Sequence, residues 1–180
     1  MIDTNFIQEA FLNSLEIYST FGKNELREQG HNASGDLIES IEGVPTNLDI
    51  QSLEANIMAL EYHVFVNEGV SASNIPFGGT GGGGTSDYIQ ALWDWTFLID
   101  RSLNERERWG WVFGTAHKHS VEGMPTRKSY AHSSNGRRTM WVEHGLIENY
   151  DAFLNAFKGG QLLEDVVSKM IDQINKDLKN

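Results

Sequence analysis

Apolar residues change their spacing several times along the chain, and each change marks a new element. Ile7, Ala10, Phe11, Leu15 and Tyr18 recur every three or four residues, the period of one face of an α-helix. Asn5 and Gln8 stand at N-cap and N3 spacing, so an amphipathic helix is expected to open the chain. Gly22 and Gly30 bracket a polar stretch. Leu37, Ile38 and Ile41 then share one side of a short helix that Gly43 and Pro45 should stop. From Asn47 the period falls to two: Leu48 and Ile50, then Leu53, Ala55, Ile57 and Ala59, alternate with Ser52, Glu54, Asn56 and Met58. This pattern predicts two antiparallel strands. Tyr62 to Gly69 fits either a strand or one or two helical turns.

Asn74 to Asp87 holds Pro76 and glycines at 78, 79 and 81 to 84, too much backbone freedom for a regular element, and reads as an extended arm. Asp87 with Gln90 is expected to cap a helix carrying Leu92, Trp93, Trp95 and Phe97. Asn104 with Glu107 caps a second, in which Trp109, Val112, Phe113 and Ala116 form a stripe. Gly110 and Gly114, one turn apart, would let a neighbouring element pack closely. Residues 117–139 are polar and basic and read as an exposed loop, with a hairpin turn at Asn135-Gly136. Leu163, Val167, Met170, Ile174 and Leu178 keep helical spacing to the C-terminus, with Glu164 and Asp165 early and Lys176 and Lys179 late, as the helix dipole favours. The expected fold is α+β: a small antiparallel sheet packed with N-terminal, central and C-terminal helices in a single domain over residues 1–180, with the arm at 74–87 and the basic loop at 117–139.

Charge and composition narrow the role. The chain has no cysteine, which removes disulfides, thiolate metal sites and a Cys nucleophile. No apolar run approaches the ~18 residues of a membrane span, and Asp3 and Glu9 stand where a secretion leader would carry a basic head. Fourteen Lys and Arg against 25 Asp and Glu leave a net charge of −11, so wholesale coating of nucleic acid is not expected. The charge is uneven. Lys118, Arg127, Lys128, Arg137 and Arg138 share a window with Glu122 alone, which makes that window +4 and the remainder −15. Such a patch suits phosphate or an acidic protein surface, another copy of the chain included.

Motifs for chemistry are thin. Gly79-Thr80-Gly81-Gly82-Gly83-Gly84 satisfies G-x-G-x-x-G but lacks the preceding strand and following helix of a dinucleotide site, and no Lys supplies a phosphate clamp. His117, His119 and His132 with Glu122 are the candidates for a metal-dependent hydrolase or nuclease, without H-E-x-x-H or related spacing. No cofactor, catalytic group or metal ligand is assigned, and no enzymatic activity is expected. Five tryptophans fall between 93 and 141. Trp93 with Trp95, and Trp109 with Trp111, cannot point the same way on helices, so one of each pair is expected to be partly exposed unless a second surface covers it.

The order of short motifs resembles the tail-completion or minor tail proteins of long-tailed bacteriophages. The residues that carry the resemblance are Ser34-Gly35-x-Leu37-x-x-Ser40-Ile41, then Tyr62-x-x-Phe65-Val66-x-x-Gly69, Ile75-Pro76-Phe77, Gly123-Met124-Pro125-Thr126-Arg127 and Phe153-Leu154-x-x-Phe157. His63 and Val70 depart from the family pattern, and the glycine arm goes beyond it. The resemblance implies a virion structural protein, assembled in the host cytoplasm: a subunit of a head-to-tail connector or neck ring, a hexamer favoured, through which DNA passes and which binds neighbouring connector and tail proteins. The inter-subunit candidates are then Gly79, Gly81, Gly82 and Gly83 in the arm, Trp95 and Trp111, and Arg127, Lys128, Arg137 and Arg138, the last four being also the candidates for contact with DNA.

Overall fold

The computed structural model describes residues 4–31, 34–49, 51–77 and 86–159. Both the glycines at 78–85 and the expected C-terminal helix beyond residue 159 lie outside these residues. In chain order the elements are α1 (Thr4–Glu28), α2 (Asp36–Ser40), β1 (Glu42–Asp49), β2 (Ser52–Met58), α3 (His63–Glu68), α4 (Asp87–Ile99), α5 (Glu105–Glu122), α6 (Trp141–Gly145) and α7 (Tyr150–Gly159), with 3-10 turns at Ala72–Asn74, Arg127–His132 and Ile147–Asn149. The fold is α+β, mostly helical, with one small antiparallel sheet. The chain gathers into two compact units: residues 1–25, 39–60 and 142–180 in the first, residues 26–38 and 61–141 in the second.

In the first unit, α1 buries Ala10, Phe11 and Leu15, three of the residues whose spacing predicts it. Phe11 meets the edges of Phe153 and Phe157 from α7, at 6.5 and 6.0 Å between ring centres. Tyr18 donates its hydroxyl to the Leu146 carbonyl. One sequence expectation needs correction here. Asn5 lies inside α1, and the Gln8 side-chain amide donates to the Leu48 carbonyl of β1 at 2.7 Å. The polar stretch that Gly22 opens continues the helix, which runs on to Glu28. Gly22 is where the backbone of Gly145 comes close, since a Cβ on Gly145 would sit 3.0 Å from the Gly22 Cα.

The sheet is the expected pair of strands, with Glu42 opposite Met58 and Asp49 opposite Ser52. It starts five residues before Asn47, through the Gly43 and Pro45 that were expected only to stop a helix. Pro45 is tolerated because the register slips between Pro45 and Asn47, and a bulge spares the ladder the N–H that proline lacks. Gly43 lies against Leu15, whose Cβ would be 2.9 Å from any Cβ there. Along β2 exposure alternates residue by residue, as period two requires.

The second unit is built on the α4–α5 hairpin, with Ile89, Leu92, Val112 and Ala116 at its centre and Phe77, Tyr88, Trp93 and Trp109 packed around them. The α4 cap is Ser86 rather than Asp87, its hydroxyl accepting from the Ile89 N–H. The α5 cap is the expected box: Asn104 Oδ1 accepts from the Glu107 N–H at 3.1 Å, and Glu107 Oε2 accepts from the Asn104 N–H at 3.0 Å. Tyr62 to Gly69 resolves into the helix α3. Of the basic stretch, 117–122 completes α5 and 127–132 forms a 3-10 turn. The turn at Gly136 (φ 76°) has no flanking strands. Residues 134–139 are instead stitched to the end of α1: Ser134 N–H donates to Glu28 O, Arg138 to Gln29 O, and the Gln29 side chain to Thr139 O.

Candidate assembly surface

Three of the short motifs meet in the second unit. The Leu37 backbone and the Ser34 side chain hydrogen-bond Tyr62, whose hydroxyl is held above its usual pKa first by burial and then by Asp36. One helix further on, Val70 and Met124 form a two-way bridge, each N–H donating to the other's carbonyl at 2.7 Å. Two glycines make that bridge possible. Gly69 (φ 75°) and Gly123 (φ 80°) both occupy the left-handed region. A Cβ on Gly69 would come within 2.5 Å of the Met124 carbonyl oxygen, and one on Gly123 within 2.6 Å of the Val70 carbonyl oxygen. The two motif segments therefore clasp each other, each through the empty side of the other's glycine.

The α4–α5 hairpin has two unlike flanks. At 100° per residue, Trp109 and Phe113 fall on one side of the buried Val112 and Ala116, while Trp111, Thr115 and Lys118 fall on the other. The first flank carries a ladder of aromatic rings: Phe97 to Trp93 at 5.9 Å, Trp93 to Trp109 at 4.4 Å and Trp109 to Phe113 at 5.5 Å between centres. Its two ends, Phe97 and Phe113, are 42% and 47% exposed. Arg108, only 4% exposed, locks the base of the ladder. Its guanidinium lies 3.7 Å over the Phe97 ring and donates to Thr96 Oγ1 and the Arg101 carbonyl, both at 3.0 Å. No motif pointed to Arg108; only its helical register beneath Thr96 and Phe97 could have done so.

The second flank opens on a cavity of about 1270 Å³, lined by residues of this unit. Phe65, Trp95, Leu103 and Trp111 form much of its wall, and Gly110 and Gly114 lie along it. The glycine pair was expected to admit a close neighbour, but among the described residues a Cβ on either would meet nothing within 4 Å. One polar pair faces the cavity, Tyr88 Oη with His119 Nδ1 at 2.8 Å. Burial pushes the Tyr88 hydroxyl up to about 12 and lowers the His119 pKa, so both are neutral near pH 7. Lys118, Lys128 and Arg138 add positive charge around it and Glu107 one negative charge.

The remaining expected residues are distributed as follows. Trp95 is half-buried and Trp111 half-exposed, as one member of each pair was expected to be partly uncovered, and both line the cavity. Arg127, Lys128 and Arg137 are exposed. Arg138 is partly buried, with one guanidinium nitrogen 2.6 Å from the Gln29 carbonyl, and burial lowers its pKa. Gly79, Gly81, Gly82 and Gly83 lie outside the described residues. The hydrolase candidates are not brought together. His119 is taken by Tyr88, and Glu122 pairs with Lys118 and accepts from the Arg127 N–H. Among the described residues, no group of three or more His, Asp and Glu side chains is placed to hold a metal ion, and no helix is long and apolar enough to cross a membrane.

Comparisons with protein-family models, with curated proteins and with solved structures find no match.

Proposed function

We propose that this chain is a structural protein of a long-tailed bacteriophage virion, a subunit of the head-to-tail connector, neck or tail-completion ring through which DNA passes. The observation that carries this reading is the convergence of the motif segments: Ser34 to Leu37 on Tyr62, and Gly69-Val70 clasped to Gly123-Met124. Segments of three motifs that are distant along the chain lie together in the second unit, while Phe153 and Phe157 pack on Phe11 in the first, and the meeting of the three fits a common architectural purpose. The exposed rings on both flanks of the α4–α5 hairpin support the same reading, because contiguous apolar surface marks a binding face. Its work is geometric: identical copies close a circle and present their faces to connector and tail proteins above and below. No bond is made or broken in that role.

Two measurements test it. Negative-stain electron microscopy of the purified protein should show rings, and tail or connector proteins of the same virion should bind them. A chain that stays monomeric and binds none of those proteins would refute the reading.

A further inference from the structure

We propose that the cavity of one copy receives the aromatic ladder of the next, so that the two flanks of the α4–α5 hairpin are the two halves of one head-to-tail interface. This rests on the ring reading and names the surfaces that would close it. Size comes first. About 1270 Å³ exceeds the roughly 300–1,000 Å³ of sites that hold small molecules, so a protein surface is the better match. The shape and chemistry agree. The cavity is concave and aromatic-walled, with open space over Gly110 and Gly114 where a side chain can enter. The ladder offers half-exposed Phe97 and Phe113 on a base fixed by Arg108. The Tyr88–His119 pair, neutral near pH 7, imposes no charge on an apolar guest.

Charge selects a second copy as the occupant. Lys118, Lys128 and Arg138 lie around the cavity against one acid, Glu107, and the window 118–138 that holds the three cations is +4 while the rest of the chain is −15. A second copy therefore brings a strongly acidic body toward a basic rim. Because ladder and cavity are different surfaces, their contact is heterologous: it leaves one free half at each end until a ring closes.

That asymmetry gives the test. Gly110→Phe fills the cavity where no described residue obstructs a new side chain, leaving the ladder intact, and Phe113→Asp spoils the ladder, leaving the cavity intact. Each variant alone should remain monomeric in analytical ultracentrifugation, with association at least about thirty-fold weaker, as loss of an aromatic anchor implies. Mixed one to one, they should form heterodimers and nothing larger. Circular dichroism melts matching the wild type exclude unfolding as the cause, and Gly114→Leu serves as a second cavity-filling variant should Gly110→Phe fail to fold. Oligomers formed by either folded variant alone would overturn the proposal while leaving the ring reading intact. A wild-type chain that is itself monomeric would overturn the proposal, and the ring reading with it if no tail or connector protein binds that chain.

Discussion

Two pairs of glycines in the second unit show how one residue type serves opposite ends. Gly69 and Gly123 hold left-handed backbone and have a carbonyl oxygen where a Cβ would be, so neither has room for any other residue. Gly110 and Gly114 sit on a helix with open space beside them. The first pair is required by the fold. The second weakens α5, since glycine within a helix costs about 0.5–1 kcal/mol relative to alanine, and among the described residues nothing fills the room it makes. A feature that costs stability and meets no described residue of its own copy is consistent with use between copies.

Mutations should separate the two pairs cleanly. The largest effect is expected at the clasp: Gly69→Ala or Gly123→Ala should cost about 2–4 kcal/mol through left-handed strain and collision with a carbonyl, read as a lower urea midpoint with an unchanged m-value. Next, Arg108→Met should cost about 2–3 kcal/mol by removing two charge-assisted hydrogen bonds and the contact with the Phe97 ring. Arg108→Lys should restore only part of this, because an ammonium cannot donate as a fork. By contrast, Gly110→Ala or Gly114→Ala should raise stability by about 0.5–1 kcal/mol in the same measurement. Destabilisation there would mean that the glycines are needed within a single copy.

The segment 134–139 is open to a pH test through His31, whose Nε2 lies 3.0 Å from the Arg138 carbonyl oxygen. Burial, reinforced by the Arg138 charge, lowers the His31 pKa from 6.5 to about 4. The folded state thus resists a proton that the unfolded chain accepts. Its contribution is complete above pH 6.5 and is lost as pH falls from 6.5 towards 4, a loss on the order of 2 kcal/mol once partial exposure is allowed for. Unfolding followed across that range should steepen for the wild type and flatten for His31→Gln.

What the sequence made legible follows from where the signals are local. The α5 capping box is written in Asn104 and Glu107, and the hairpin in the period-two alternation of 53–58, because both depend on neighbours a few residues away. What was not legible shares a cause as well. The short helix does end before Gly43 and Pro45, but that both then enter β1, and that Gly22 stays within α1, depends on a distant partner or a bulge: Gly145 against Gly22, Leu15 against Gly43, the register slip beside Pro45. For Tyr62 to Gly69, periodicity could not decide between strand and helix, since none of α3 is fully buried and Phe65 is 64% exposed. The site was legible only in pieces. The tryptophan pairs signalled uncovered rings, but the cavity between Trp95 and Trp111 and the guanidinium beneath Phe97 need the antiparallel pairing of α4 with α5, which no short window contains.

The central claim is that identical copies complete one another, and its most direct test is the mass of the untagged wild-type protein in solution as its concentration rises. Sedimentation equilibrium should show a single closed oligomer that gives way to monomers on dilution and in high salt, as the basic rim and acidic body require. A particle of 20.2 kDa at every concentration and salt would contradict it.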